Sequence, residues 1–153
     1  HFEELGFKKV ETFIASGNVV FETTSKSVAT LERKITAHLE ESLGFPAMTF
    51  LRTDRELAEV LEHDALAEPR PRSVYIAFLS AEPSKEARAK LMSYRTTIDD
   101  FHVDGRHVYW LCQTHMSDSP FFRVGLEKAL GTKATVRNVT TVAKLVEKYP
   151  CTK

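Results

Sequence analysis

The chain has 153 residues, with Lys plus Arg and Asp plus Glu both at 21, so its formal net charge is zero. Hydrophobic residues make up 42% and charged residues 27%. That composition belongs to a folded globular chain, and it excludes a disordered tail and a strongly basic polyanion-binding domain. A chain of this length buries enough surface for a core of its own.

The first residues, His1-Phe2-Glu3-Glu4-Leu5-Gly6-Phe7, read as the last turn of a helix. Phe2 and Leu5 share its face and Gly6 is its C-cap, so the start of that helix is expected to lie upstream. Val10 to Ala15 and Val19-Val20-Phe21 are β-branched and aromatic runs around the turn residues Ser16-Gly17-Asn18, which predicts a β-hairpin. Val28, Leu31, Ile35, Leu39 and Leu43 recur at helical spacing before Gly44, predicting a long amphipathic helix. A short strand is expected over Ala47 to Arg52. Thr53-Asp54-Arg55-Glu56 then forms a capping box, with Leu57, Val60 and Leu61 as the stripe of a second helix. Glu68-Pro69-Arg70-Pro71-Arg72 cannot continue a helix and reads as a linker.

Ser73 to Ser80 is nearly all apolar, as a central strand is. A helix over about Ser84 to Tyr94 follows, with Ala87 and Leu91 inward. Asp104-Gly105 predicts a two-residue hairpin loop between Ile98–Val103 and Arg106–Cys112. A helix carrying Phe122, Leu126 and Leu130 should end at Gly131. Ala134 to Val136 is a short strand, and the last helix runs from about Val139 to Tyr149. The second half therefore has the order strand, helix, hairpin, helix, strand, then an extra helix. The first half repeats that order if one strand and most of one helix are missing from its front, and the landmarks are offset by roughly 85 to 90 residues, as in a duplicated unit. The predicted fold is α+β, two tandem ferredoxin-like (βαββαβ) subdomains with the first incomplete. Residues 1–68 form the first subdomain with a trailing helix, 69–72 the linker, and 73–153 the second subdomain with a C-terminal helix.

Ser16-Gly17-Asn18-Val19-Val20-Phe21 and Arg137-Asn138-Val139-Thr140-Thr141-Val142-Ala143-Lys144-Leu145 resemble the motifs of a bacterial domain-of-unknown-function family, number 1697. The resemblance implies two ferredoxin-like halves and no established activity. It also implies an opening strand and loop of the type Leu-Arg-Gly-Ile-Asn-Val-Gly-Gly, the element the strand order calls for. Two positions depart from the family's pattern. Val139 stands where Trp is frequent, and His115-Met116-Ser117-Asp118-Ser119-Pro120 replaces a Gly-containing loop ending in Arg-Ser-Lys.

The candidate sites are few. Arg137 and Asn138 precede the last helix, whose free N–H groups attract anions, and Lys144 adds a cation further along. Asn138 as a plain N-cap is the competing structural reading. Ser16 and Asn18 flank a glycine that lets a ligand or a backbone approach, or they simply serve the turn. In the second hairpin, a loop of Asp104-Gly105 sets His102 opposite His107 and Asp100 opposite Tyr109. This places Asp100, His102 and His107 on one face, a candidate metal set lacking a fourth ligand. The structural alternative is a polar sheet face, and no metal is assigned. His115, Ser117, Asp118 and Ser119 lack the geometry of a nucleophile elbow and read as the N-cap region of the Pro120 helix. Cys112 alternates with Val108 and Trp110 and is expected buried and inert.

No Walker loop or Gly-x-Gly-x-x-Gly fingerprint occurs, so no cofactor is expected. The RNA-binding aromatic pattern is missing too. His102, His107 and Tyr109 are the open-face candidates, and nucleic acid is not expected as a partner. No apolar run approaches membrane-helix length and no signal peptide is visible, so no membrane is expected. The two cysteines, outside any CxxC, fit a reducing cytoplasm.

These residues favour a non-catalytic module that binds a small ligand or a protein. The alternative is an enzyme or binder acting on a small anionic or phosphorylated molecule in a groove between the subdomains. Self-association through an open sheet edge is a third class. Several convergent titratable groups in a concave pocket would mark the enzyme, and a shallow apolar patch the module.

Overall fold

The computed structural model describes residues 8–13, 18–22, 28–44, 50–63, 66 and 71–149. It is an α+β structure that divides into two compact units, residues 1–52 and 53–153. The predicted opening helix turn, Ser16 and Gly17 of the expected turn, residues 47–49 of the expected strand and residues 69–70 of the linker fall outside the described residues.

In the first unit, β1 (Lys8–Phe13) pairs antiparallel with β2 (Asn18–Glu22), with a register irregularity between Lys8 and Glu11. In helix α1 (Val28–Leu43), Leu31 and Ile35 of the predicted stripe are buried against Phe21, Leu39 and Leu51. The returning chain is clamped to α1 by one side chain. The Glu32 carboxylate accepts from the Leu51 N–H at 2.6 Å and lies 3.7 Å from the Arg52 guanidinium. Residues 50–52 form no strand in the structure.

The second unit opens with α2 (Asp54–Leu61), whose predicted capping box is complete: Glu56 N–H donates to Thr53 Oγ1, and Thr53 N–H donates to the Glu56 carboxylate. Then come β3 (Ser73–Leu79), α3 (Lys85–Met92), β4 (Asp99–Asp104), β5 (His107–Cys112), α4 (Leu126–Leu130), β6 (Ala134–Asn138) and α5 (Val139–Lys148). The strands form one antiparallel sheet in the order β4-β5-β3-β6. The apolar strand β3 is central, as its composition predicts.

The two faces of this sheet have different cores. On one, Ala77, Leu79, Phe101, Val108, Trp110 and Cys112 pack against Leu91 of α3 and against Phe121, Leu126, Ala129 and Leu130. On the other, Ile76 and Tyr109 stand opposite each other across the β3–β5 ladder and are buried, as are Val60 of α2 and Val142 of α5. The Tyr109 hydroxyl donates to the Val60 carbonyl at 2.9 Å. Helices therefore cover both faces of this sheet.

Two local expectations change. The β4–β5 loop is Gly105-Arg106, with Asp104 paired to His107, so every cross-strand partner moves by two positions. Gly105 has φ 58° at the first loop position, where both common hairpin turns need positive φ. The predicted Phe122–Leu130 helix is also broken: a 3₁₀ turn (Pro120–Arg123) and α4 are separated at Gly125, φ 79° and ψ 149°. The break resets the helical phase, so Phe121 is buried while Phe122 is 50% exposed.

Candidate functional site

The hairpin histidines come first, because the new register decides what they meet. His102 lies opposite Tyr109, Asp100 opposite Leu111, and His107 opposite Asp104. His102 Nε2 is 3.7 Å from Asp100 Oδ2, while His107 packs edge-on to Phe78 at 5.5 Å. The expected His102–His107 opposition is thus replaced by separate pairs, and the described residues contain no metal-holding group of three His, Cys, Asp or Glu. Asp100 also accepts an ion pair from Arg95 at 2.8 Å.

A residue absent from the sequence reading joins this face. His63, just beyond α2, stacks on the Tyr109 ring at 4.4 Å, and its Nε2 lies 3.7 Å from Asp104 Oδ2. The signal for it was available: a tyrosine hydroxyl on a sheet face needs a partner, and the capped amphipathic helix before β3 needs a surface to cover. Tyr109 is 1% exposed beneath α2, so it is no open-face aromatic for stacking a base. Burial raises its phenol pKa above the ordinary range, and the Asp104 carboxylate adds to the rise.

Around residues 115–120 the polar side chains serve the backbone. His115 Nδ1 accepts from Ser117 N–H and sits 2.9 Å from Ser117 Oγ. Ser119 caps the 3₁₀ turn by accepting from Phe121 N–H, and it donates to the buried Asp99 carboxylate, which also accepts from Trp110 Nε1 at 2.8 Å. The Cys112 thiol is buried, 3.5 Å from Thr114 Oγ1.

At the start of α5, Asn138 is the N-cap and its Oδ1 accepts from Thr140 N–H at 2.8 Å. Arg137 donates to Thr135 Oγ1 at 2.7 Å and to the Val136 carbonyl at 3.0 Å, and burial lowers its pKa. Lys144 is exposed on α5. Asn18 opens β2 in the other unit, opposite Phe13, and Ser16 lies outside the described residues.

An open groove lies elsewhere in the second unit. It has a volume of about 400 Å³ and is lined by Val124 to Lys128 together with Ala134 and Val136. It runs between α4 and β6, an end strand of the sheet among the described residues. Its walls are mainly apolar, and the charged side chains among its lining residues are Glu127 and Lys128. The Glu127 carboxylate is held by the Ala134 N–H at 2.9 Å. Gly125, the residue that broke the predicted helix, forms part of the wall.

Residues 1–109 match the family described as protein of unknown function, DUF1697. The chain belongs to this family. The match takes in the Ser16–Phe21 motif, while the Arg137–Leu145 motif lies beyond it. The DUF1697 chain is also similar in fold to a conserved bacterial protein, SP0830 from Streptococcus pneumoniae, with a TM-score of 0.71 and 19% identity over 95% of this chain and 83% of that one. No curated protein matches it. No described helix is long and apolar enough to cross a membrane.

Proposed function

We propose that this DUF1697 chain is a non-catalytic, cytoplasmic binding module built from two ferredoxin-like units. The strand order β4-β5-β3-β6 in the second unit supports the fold reading, because it is the order a split βαβ pair produces. The β1–β2 hairpin followed by α1 fits the later part of a like unit. The observation that carries the function is the contrast between the polar clusters and the groove. His63 and His102 each lie 3.7 Å from an aspartate carboxylate, and His115 and Asp99 are hydrogen-bonded to Ser117 and Ser119. The groove, by contrast, is shallow, apolar and open at a sheet edge.

A second reading keeps the small anion. A half-buried Arg137 stands beside the N-cap of a ten-residue helix, and this combination suits phosphate or carboxylate. In that reading Arg137, Asn138 and Lys144 take the anion. One experiment separates the two. Inorganic phosphate, p-nitrophenyl phosphate and p-nitrophenyl acetate are added to the ¹⁵N-labelled chain. The module reading expects no turnover and no saturable shift at Val139 to Thr141. Turnover, or saturable shifts that Arg137→Ala removes, would replace it with the anion reading.

A further inference from the structure

The groove borders a sheet edge whose hydrogen-bonding groups can be assigned. Ser80 N–H donates to the Lys133 carbonyl at 3.0 Å. Antiparallel ladders alternate, so Thr135 and Arg137 exchange backbone hydrogen bonds with β3, while the N–H and C=O groups of Ala134 and Val136 turn outward. The side-chain contacts agree with this phase: Glu127 accepts from the Ala134 N–H, and Arg137 donates to the Val136 carbonyl. Each contact occupies one outward group. Among the described residues the Val136 N–H and the Ala134 carbonyl are left to face outward, beside the apolar floor made by Val124, Leu126, Ala134 and Val136.

Edge strands are usually blunted against unwanted pairing, and a Glu and an Arg on this edge do part of that work. The blunting is incomplete, however, and it sits next to a concavity, which is the arrangement that accepts an added strand. Main-chain bonds then supply register, and alternate side chains enter the adjoining groove. The charge of the edge selects the partner. Lys128 on the groove and Lys133 at the head of β6 are exposed, and Arg123 adjoins Val124. The carboxylate in this stretch, Glu127, is already bonded to Ala134. An incoming strand with carboxylates meets these cations, and a basic strand is repelled by them.

We propose that β6 and its groove form a docking edge for an extended acidic peptide, with apolar residues alternating with Asp or Glu. The proposal rests on the binding-module reading and names the partner's chemistry. Its test uses the full chain and fluorescein-labelled octapeptides in which Val alternates with Glu, Thr or Lys. Fluorescence anisotropy should show the Val/Glu peptide binding at least tenfold more tightly than the Val/Lys peptide. That advantage should shrink as salt rises from 50 to 300 mM, because exposed charges are screened. Lys128→Glu with Lys133→Glu, both at exposed positions, should weaken Val/Glu binding at least tenfold while circular dichroism stays unchanged. N-methylation of the central amides of the Val/Glu peptide should abolish binding, which charge alone would not do.

Equal binding of the N-methylated peptide overturns strand addition. Preferential binding of the Thr or Lys peptide overturns the acidic partner but leaves the module reading standing, whereas turnover of the nitrophenyl substrates overturns the module reading itself. Binding of none of the three, or a dimer in sedimentation that protects the Val136 amide and excludes peptide, overturns the proposal.

Discussion

Tyr109 Oη donates to the Val60 carbonyl beneath α2, where water is excluded and Asp104 is near. Both circumstances hold the phenol protonated well beyond its ordinary range. Its folded pKa is raised, so it contributes stability in full below the unfolded pKa of about 10 and loses that contribution as pH climbs above it. Tyr109→Phe should lower stability at neutral pH by about 1 kcal/mol, and its stability should fall less steeply above pH 10 than that of the parent chain. Urea denaturation at pH 7 and pH 10.5 checks both. Asp99 is the second residue with a clear consequence. Its buried carboxylate accepts from Trp110 Nε1 and Ser119 Oγ, and Asp99→Ala strands both donors at a cost of about 3 kcal/mol. Asp99→Asn retains an acceptor oxygen and should recover part of the loss. Denaturant midpoints, with Trp110 emission as the probe, give the comparison. The sequence alone places Trp110 and Cys112 on the buried face correctly. It could not pair Asp99 with Ser119, because twenty residues separate them and their meeting depends on how the chain folds back over the sheet.

At the level of elements, the local signals were sufficient wherever the cause was local. The Thr53–Glu56 box, Leu31, Ile35 and Leu39 of the α1 stripe, and the Asn138 cap all lie where their side-chain chemistry puts them. The β4–β5 register and the 120–130 helix were misread for one reason: each contains a glycine whose position admits more than one backbone path. Gly105 could be the first or the second loop residue, and Gly125 could continue a helix or break it. Gly125 occupies φ 79° with ψ 149°, a region essentially closed to residues with a Cβ. Gly125→Ala should therefore cost about 2 kcal/mol. Gly105→Ala, where φ is 58°, should cost about 1 kcal/mol. Open space surrounds both positions, so the difference is one of backbone strain, and paired urea titrations measure it.

At the scale of the whole molecule, the second unit holds its own two-sided core, and residues 53–153 expressed alone should fold. The fragment is expected to unfold cooperatively and to keep the Trp110 emission of the full chain. A broad, non-cooperative thermal transition would contradict this. Periodicity, caps and turn residues determine by themselves that the chain is α+β and place its helices and strands, except at 50–52 and across Gly125. These are short-range consequences of side-chain shape and backbone sterics. The packing of α2 and α5 over the second sheet face, the burial of Tyr109 there, and the apolar groove at the β6 edge were decided only in three dimensions. Each joins segments tens of residues apart, and hydrophobic burial, being non-directional, does not say from sequence which of several apolar faces will meet.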